Sequence, residues 1–157
     1  MLKKLLKIVV IAIAAFFLVI QFFGIEKSNP PVVQSETLEA AVAVPADISQ
    51  IIARSCNDCH SNTTVYPWYS NIQPSGWFTK SHIEEGRRKL NFSIFNTFSV
   101  QRKAKKFDEI CEQVTSGEMP LPSYLWIHRD ALLSESDKKA LCDWSTASGM
   151  TIKQTSP

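Results

Sequence analysis

Polar positions nearly vanish from the start of the chain. After Lys3, Lys4 and Lys7, the run from Ile8 to Ile25 is apolar, broken only by Gln21 and Gly24. About 18 helical residues, rising about 1.5 Å each, reach roughly 27 Å, close to the hydrocarbon thickness of a bilayer. The run is apolar on every face, unlike a helix that covers a soluble core on one side. It ends in Phe22-Phe23-Gly24-Ile25-Glu26, without the small-residue cleavage pattern of a secretory signal. Residues 1–26 therefore read as an N-terminal membrane anchor or signal, the uncleaved transmembrane helix being the preferred form, with its lysines on the cytoplasmic side. From 27 to 44 no period survives among Pro30, Pro31, Ser28, Ser35 and scattered acids, as expected of a flexible tether.

A helical period begins at Pro45-Ala46-Asp47, followed by Ile48, Ile51 and Ile52. Between Thr63 and Trp77, Tyr66, Trp68, Tyr69 and Trp77 crowd around Pro67 and Pro74, an aromatic loop too broken by proline for one helix. Gly76 to Leu90 reads as a helix with Lys80, Glu84, Arg87 and Arg88 on one side. Gln101 to Thr115 reads as another, with Phe107, Ile110, Cys111 and Val114 at helical spacing. Gly117 stops it, and Pro120 and Pro122 hold the next segment extended. Ser134-Glu135-Ser136-Asp137 resembles a capping box and opens a helix to about Ala147, with Ala140, Leu141 and Trp144 facing inward. Alternation with period two is absent. The prediction is one all-α domain over residues 45–150.

Composition adds two constraints. A net charge of +2 over 157 residues leaves no broad basic surface, so nucleic acid is not an expected partner. An N-terminal membrane helix would place the rest of the chain outside the cytoplasm, where thiols tend to be oxidised or otherwise occupied. Cys56, Cys59, Cys111 and Cys142 all need an account.

Cys56-Asn57-Asp58-Cys59-His60 carries the chemistry. A thioredoxin-like pair needs a strand-to-helix junction, and no strand precedes it. A four-cysteine zinc site would recruit Cys111 and Cys142, which sit singly within predicted helices rather than in a second knuckle. The spacing matches covalent haem attachment: two thioethers clamp the porphyrin vinyl groups and the adjacent imidazole faces the iron. Haem c on Cys56 and Cys59, with His60 as iron ligand, is the reading adopted. Met119, on a loop freed by Gly117 and stiffened by Pro120 and Pro122, is the expected sixth ligand, with His128 and His82 as alternatives and Met150 in the tail. Arg54, Lys80, Arg87 and Arg88 are candidates to pair with haem propionates, or are plain surface charges. Cys111 and Cys142 either bridge or remain separate buried thiols.

Asn57-Asp58-Cys59-His60-Ser61-Asn62, Tyr66-Pro67-Trp68-Tyr69, Glu85-Gly86-Arg87, Leu90-Asn91-Phe92-Ser93 and Gly117-Glu118-Met119-Pro120-Leu121 together resemble the bacterial haem-binding domain family. The resemblance spans roughly Pro45 to Ala147. It implies a small exported helical domain, cytochrome c-like, around one haem ligated by His60. It directs attention to the Met119 loop and the His128 segment for the other ligand, and it implies no particular reaction. The expected function is a membrane-tethered monohaem cytochrome of the inner membrane, its haem domain in the periplasm, passing single electrons to a redox protein not identifiable from sequence. The alternative is a gas or peroxide sensor or enzyme with an open or labile sixth site. No general acid–base pair or activated nucleophile is visible, which favours a carrier over an enzyme.

Overall fold

The computed structural model describes residues 1–154, and every regular element within them is helical. Helix α1 runs from Leu2 to Ile20 and is exposed along nearly its whole length. It stops short of the expected Ile25, because Gln21 turns its side chain onto a distant backbone: its amide donates to Gln73 O at 3.0 Å and accepts from Gln73 N at 2.8 Å. Three lysines lie in the first turns, so the apolar helical part covers only residues 8–20, roughly 20 Å at 1.5 Å per residue. No helix among the described residues is long and apolar enough to cross a membrane.

Residues 27–44, which read as a tether, lie against the domain instead. A short helix α2 (Leu38–Ala41) puts Leu38 in the core at 1 % exposure. Asn29 donates to Thr64 O, Asn96 to Ser35 O, and the Trp144 indole to Ala43 O. Leu38 is joined there by Ala41, Val42 and Val44, but these follow prolines and polar residues without a sustained period that would register as an element.

The remaining elements follow the expected pattern closely. Helix α3 (Ala46–Ser55) buries Ile48, Ile51 and Ile52 and leads directly into α4, one turn from Asn57 to His60. The aromatic loop contains a 3-10 turn, Trp68–Asn71, before α5 (Ser75–Lys89). Helix α6 (Val100–Ser116) is capped by the Ser99 side chain and ends at Gly117, whose φ of 76° is the left-handed conformation that glycine adopts without a Cβ penalty. Pro122 does not prolong an extended segment but occupies the first position of α7 (Pro122–Leu125), where its missing N–H is no loss.

Helix α8 (Glu135–Gln154) outruns the expected Ala147 by about two turns. Its start is a reciprocal capping box: Asp137 N–H donates to Ser134 Oγ at 3.1 Å, and Ser134 N–H donates to Asp137 Oδ2 at 2.9 Å. Helices α6 and α8 run antiparallel. Gly149 packs on Phe107, Cys142 bonds to Cys111, and Lys153 approaches Asp108. The two cysteines therefore bridge, joining positions 31 residues apart and adding about 3–4 kcal/mol on the chain-entropy view. Phe95 and Phe107 meet as tilted rings at 5.1 Å in this core, and the partly buried Trp144 packs edge-to-face on Phe107 at 5.5 Å.

Because 27–44 is packed, limited proteolysis of the native chain should leave that segment uncut under conditions that digest an unfolded peptide. Leu38→Ala should lower unfolding free energy by about 2–5 kcal/mol in urea titration. Rapid cleavage there, together with an unchanged urea midpoint, would mean that the segment does not contribute to the fold.

Candidate functional site

The cysteine turn is held by an unusually close helix contact. A Cβ on Gly86 of α5 would lie 2.4 Å from Cys59 O and 3.0 Å from Cys59 Cβ, so only glycine lets α5 lie flat against α4. That approach brings the end of α5 onto His60. The His60 Nδ1 faces two carbonyls, Gly86 O at 3.1 Å and Leu90 O at 3.0 Å. Both are acceptors, so Nδ1 carries the proton and Nε2 keeps its lone pair. Burial, the largest influence, pushes the imidazole below its ordinary pKa, against the two carbonyl bonds that raise it. A neutral, oriented imidazole with a free Nε2 is the form that binds a metal.

Both thiols beside it are unbonded and protonated at neutral pH. Burial and the neighbouring Cys59 push Cys56 up to about 12, and burial with the Asp58 charge pushes Cys59 up to about 11. A redox-active or nucleophilic pair needs the opposite shift. The Cys111–Cys142 bond in turn removes the second half of a four-thiolate zinc site.

Cys56, Cys59 and His60 form one wall of a cavity of about 780 Å³. Ile52, Leu90, Phe92, Ile110, Val114, Leu121, Leu133 and Leu141 make it largely apolar. Met119 lines the same cavity, on a loop held to α6 by its N–H donating to Gln113 O at 3.1 Å. His82 also reaches it, with Nδ1 2.8 Å from Phe78 O. His128 is not among the wall residues. Its Nε2 meets the Tyr69 hydroxyl at 2.9 Å and its ring stacks on Tyr124 at 4.1 Å. Met150 sits on an exposed face of α8.

The basic residues singled out from sequence are engaged elsewhere. Arg54 pairs with Asp137 at 2.8 Å, Lys80 with Glu84, and Arg88 with Glu85. Arg87 binds Ser61 O, Ser28 O, Asn29 and Thr64, tying α5 to the loop after the cysteine turn and to the N-terminal segment. Lys89, Lys105 and Lys106 line the cavity instead. Lys106, Ile110 and Gln113 recur at i, i+4 and i+7, so the helical period of α6 already placed them on one face.

Tyr124 was also missed. Its hydroxyl donates to Asp58 Oδ2 at 2.7 Å, while Asp58 Oδ1 accepts from Val65 N, so Asp58, one of the two residues between the cysteines, is fixed from both sides. Burial, then the Asp58 hydrogen bond and charge, keep the phenol protonated far beyond its usual range.

Gly86→Ala should force α5 off the cysteine turn and lower stability by about 1–3 kcal/mol. Arg87 and Leu90 amide signals in NMR should shift with it; unaltered spectra would show that the contact is not tight. For His60 the depressed folded pKa means that the unfolded chain binds the proton first as pH falls. Stability of the haem-free chain is then full above about pH 6.5 and declines below it. His60→Gln should flatten that decline in urea titrations between pH 7.5 and 5.5 by a measurable fraction, and an identical slope would contradict the assignment.

The family model described as a haem-binding domain matches residues 15–147. No curated protein and no solved structure matches the chain. The residues present fit a haem. A wide apolar ring needs a cavity within the range of cofactor pockets, and one of about 780 Å³ is lined by two protonated thiols, a neutral imidazole, a thioether and lysines. With the match running through the cysteine turn, the Met119 loop and most of α8, the chain belongs to the haem-binding domain family.

Proposed function

We propose that the protein is a membrane-tethered c-type haem protein that carries single electrons outside the cytoplasm. The observation that carries this reading is the convergence of Cys56, Cys59, His60 and Met119 on one cavity. A bound haem supplies one-electron chemistry at its iron, and His/Met ligation raises its potential. Cys56 and Cys59 would hold it through thioethers, the addition using thiols that the site keeps protonated. His60 presents Nε2 with its tautomer set by Gly86 O and Leu90 O. Met119 offers its thioether from the loop that Gln113 holds.

Lys89, Lys105 and Lys106 would face the propionates from the cavity wall, each beside a carboxylate: Lys89 with Glu85, Lys105 and Lys106 with Glu109. The Cys111–Cys142 bridge supports an oxidising compartment. The exposed, apolar α1, with Lys3, Lys4 and Lys7 at its start, supports attachment to a membrane.

One observation favours a second reading. His82 shares the cavity with Met119, so a site with a displaceable or absent Met119 ligand would hold a distal imidazole, suited to sensing or peroxide chemistry. Absorption spectra of the haem-loaded chain, oxidised and reduced, with and without carbon monoxide, separate the two. The carrier is expected to be low-spin and indifferent to carbon monoxide, with Met119→Ala converting it to a high-spin form that binds the gas. His60→Ala is expected to leave haem poorly incorporated and high-spin. Stoichiometric carbon monoxide binding by the unaltered chain would favour the open-site reading.

A further inference from the structure

Cys59 to Thr79 and Met119 to Ile127 each carry no Asp, Glu, Lys or Arg. They contribute large apolar side chains to the surface. Trp126 and Val65 are each 74 % exposed and Trp68 68 %, with Phe78 and Ile127 above half. The two stretches meet at a shallow groove of about 230 Å³ walled by Val65, Phe78, Trp126 and Ile127. A largely uncharged, aromatic patch of this kind, Asp58 being its one carboxylate, marks an interaction surface rather than ordinary solvent-facing chain.

The position of the patch identifies its occupant. The same aromatic loop is bonded to the end of α1: Gln21 to Gln73 in both directions, the Trp77 indole to Phe23 O at 2.8 Å, and Tyr66 Oη to Ser28 O at 3.1 Å. Beyond Ile20, Phe22 and Phe23 are themselves exposed, and Phe23 meets the aromatic loop through its bond with Trp77. Residues 27–44 pack on the domain and give no slack. A helix with about 20 Å of apolar length, too short to span a core of roughly 30 Å, must draw whatever it is bonded to toward the lipid. Tryptophan suits that depth, with an apolar ring and a polar N–H.

We propose that the collar formed by Trp68, Phe78, Trp126 and Ile127 seats the domain directly on the bilayer surface, in one fixed orientation. This rests on the reading that α1 enters a membrane. The collar holds the groove beside Cys59 at the lipid interface. Trp144, hydrogen-bonded to Ala43 O and packed on Phe107, lies outside the groove and serves as the reference.

The test uses the full haem-loaded chain, reduced to its diamagnetic state, in phosphatidylcholine nanodiscs that contain a nitroxide-bearing lipid. Its four indole N–H signals are distinct probes. Trp68 and Trp126 are expected to broaden at least about fivefold more than Trp144, and Trp126→Ser with Ile127→Ser to relieve the broadening at Trp68. If the chain co-elutes with the discs but Trp68 and Trp126 broaden no more than Trp144, the inference is overturned, the tether reading stands, and the patch serves a protein partner or a second copy. If the chain does not associate with the discs, the membrane reading fails and the inference fails with it.

Discussion

The site depends on how closely α5 lies against the cysteine turn. At Gly86 the helix backbone comes within van der Waals distance of Cys59, a separation that any side chain would prevent. The same contact delivers the Gly86 and Leu90 carbonyls to His60 Nδ1, which settles the tautomer and aims Nε2 away from α5. Arg87, the next residue, binds the Ser61 carbonyl and the Thr64 hydroxyl, and so fastens the chain that leaves the turn. One helix end therefore positions the imidazole, the second thiol and the following loop together. Loosening it disturbs all three.

The opposite side of the cavity is built separately. Helices α6 and α8 form an antiparallel pair, locked by the Cys111–Cys142 bridge and a core of Phe95, Phe107 and Trp144. Gln113, two residues past the bridged Cys111, accepts the Met119 N–H, so the Met119 loop takes its position from that rigid pair. Arg54 and Ser55 connect the halves, bonding Asp137 and the carbonyls of Asp130, Ala131 and Leu132. Under the proposed function, two walls so built would suit a haem that gains and loses an electron with little rearrangement of the protein.

Much of this was legible in the chain. The periods and caps located α3, α5 and α6 to within a residue or two, because their apolar faces and stop signals are local. The Cys56–His60 spacing pointed to haem without the fold, in keeping with the haem-binding domain match. What was not legible depends on distant partners. Helix α1 ends at Ile20 because Gln21 finds Gln73, and Leu38 is buried because a gap in the core accepts it. His128 was a ligand candidate by type, yet the Tyr69 hydroxyl and the Tyr124 ring engage it. Charges misled in the same way: Arg54 and Arg87 serve the fold, while the cavity-facing lysines lie on α6 and at the end of α5.

The proposed function gives these parts one purpose, with buried thiols and an oriented imidazole prepared for a covalently held haem, beside a bridge that needs an oxidising compartment. Mass spectrometry of the mature chain after denaturation and reduction tests this most directly. The account predicts that one haem remains attached, that it maps to the peptide holding Cys56 and Cys59, and that only Cys111 and Cys142 then take up an alkylating reagent. Haem released by denaturation, with Cys56 and Cys59 both alkylated, would contradict it.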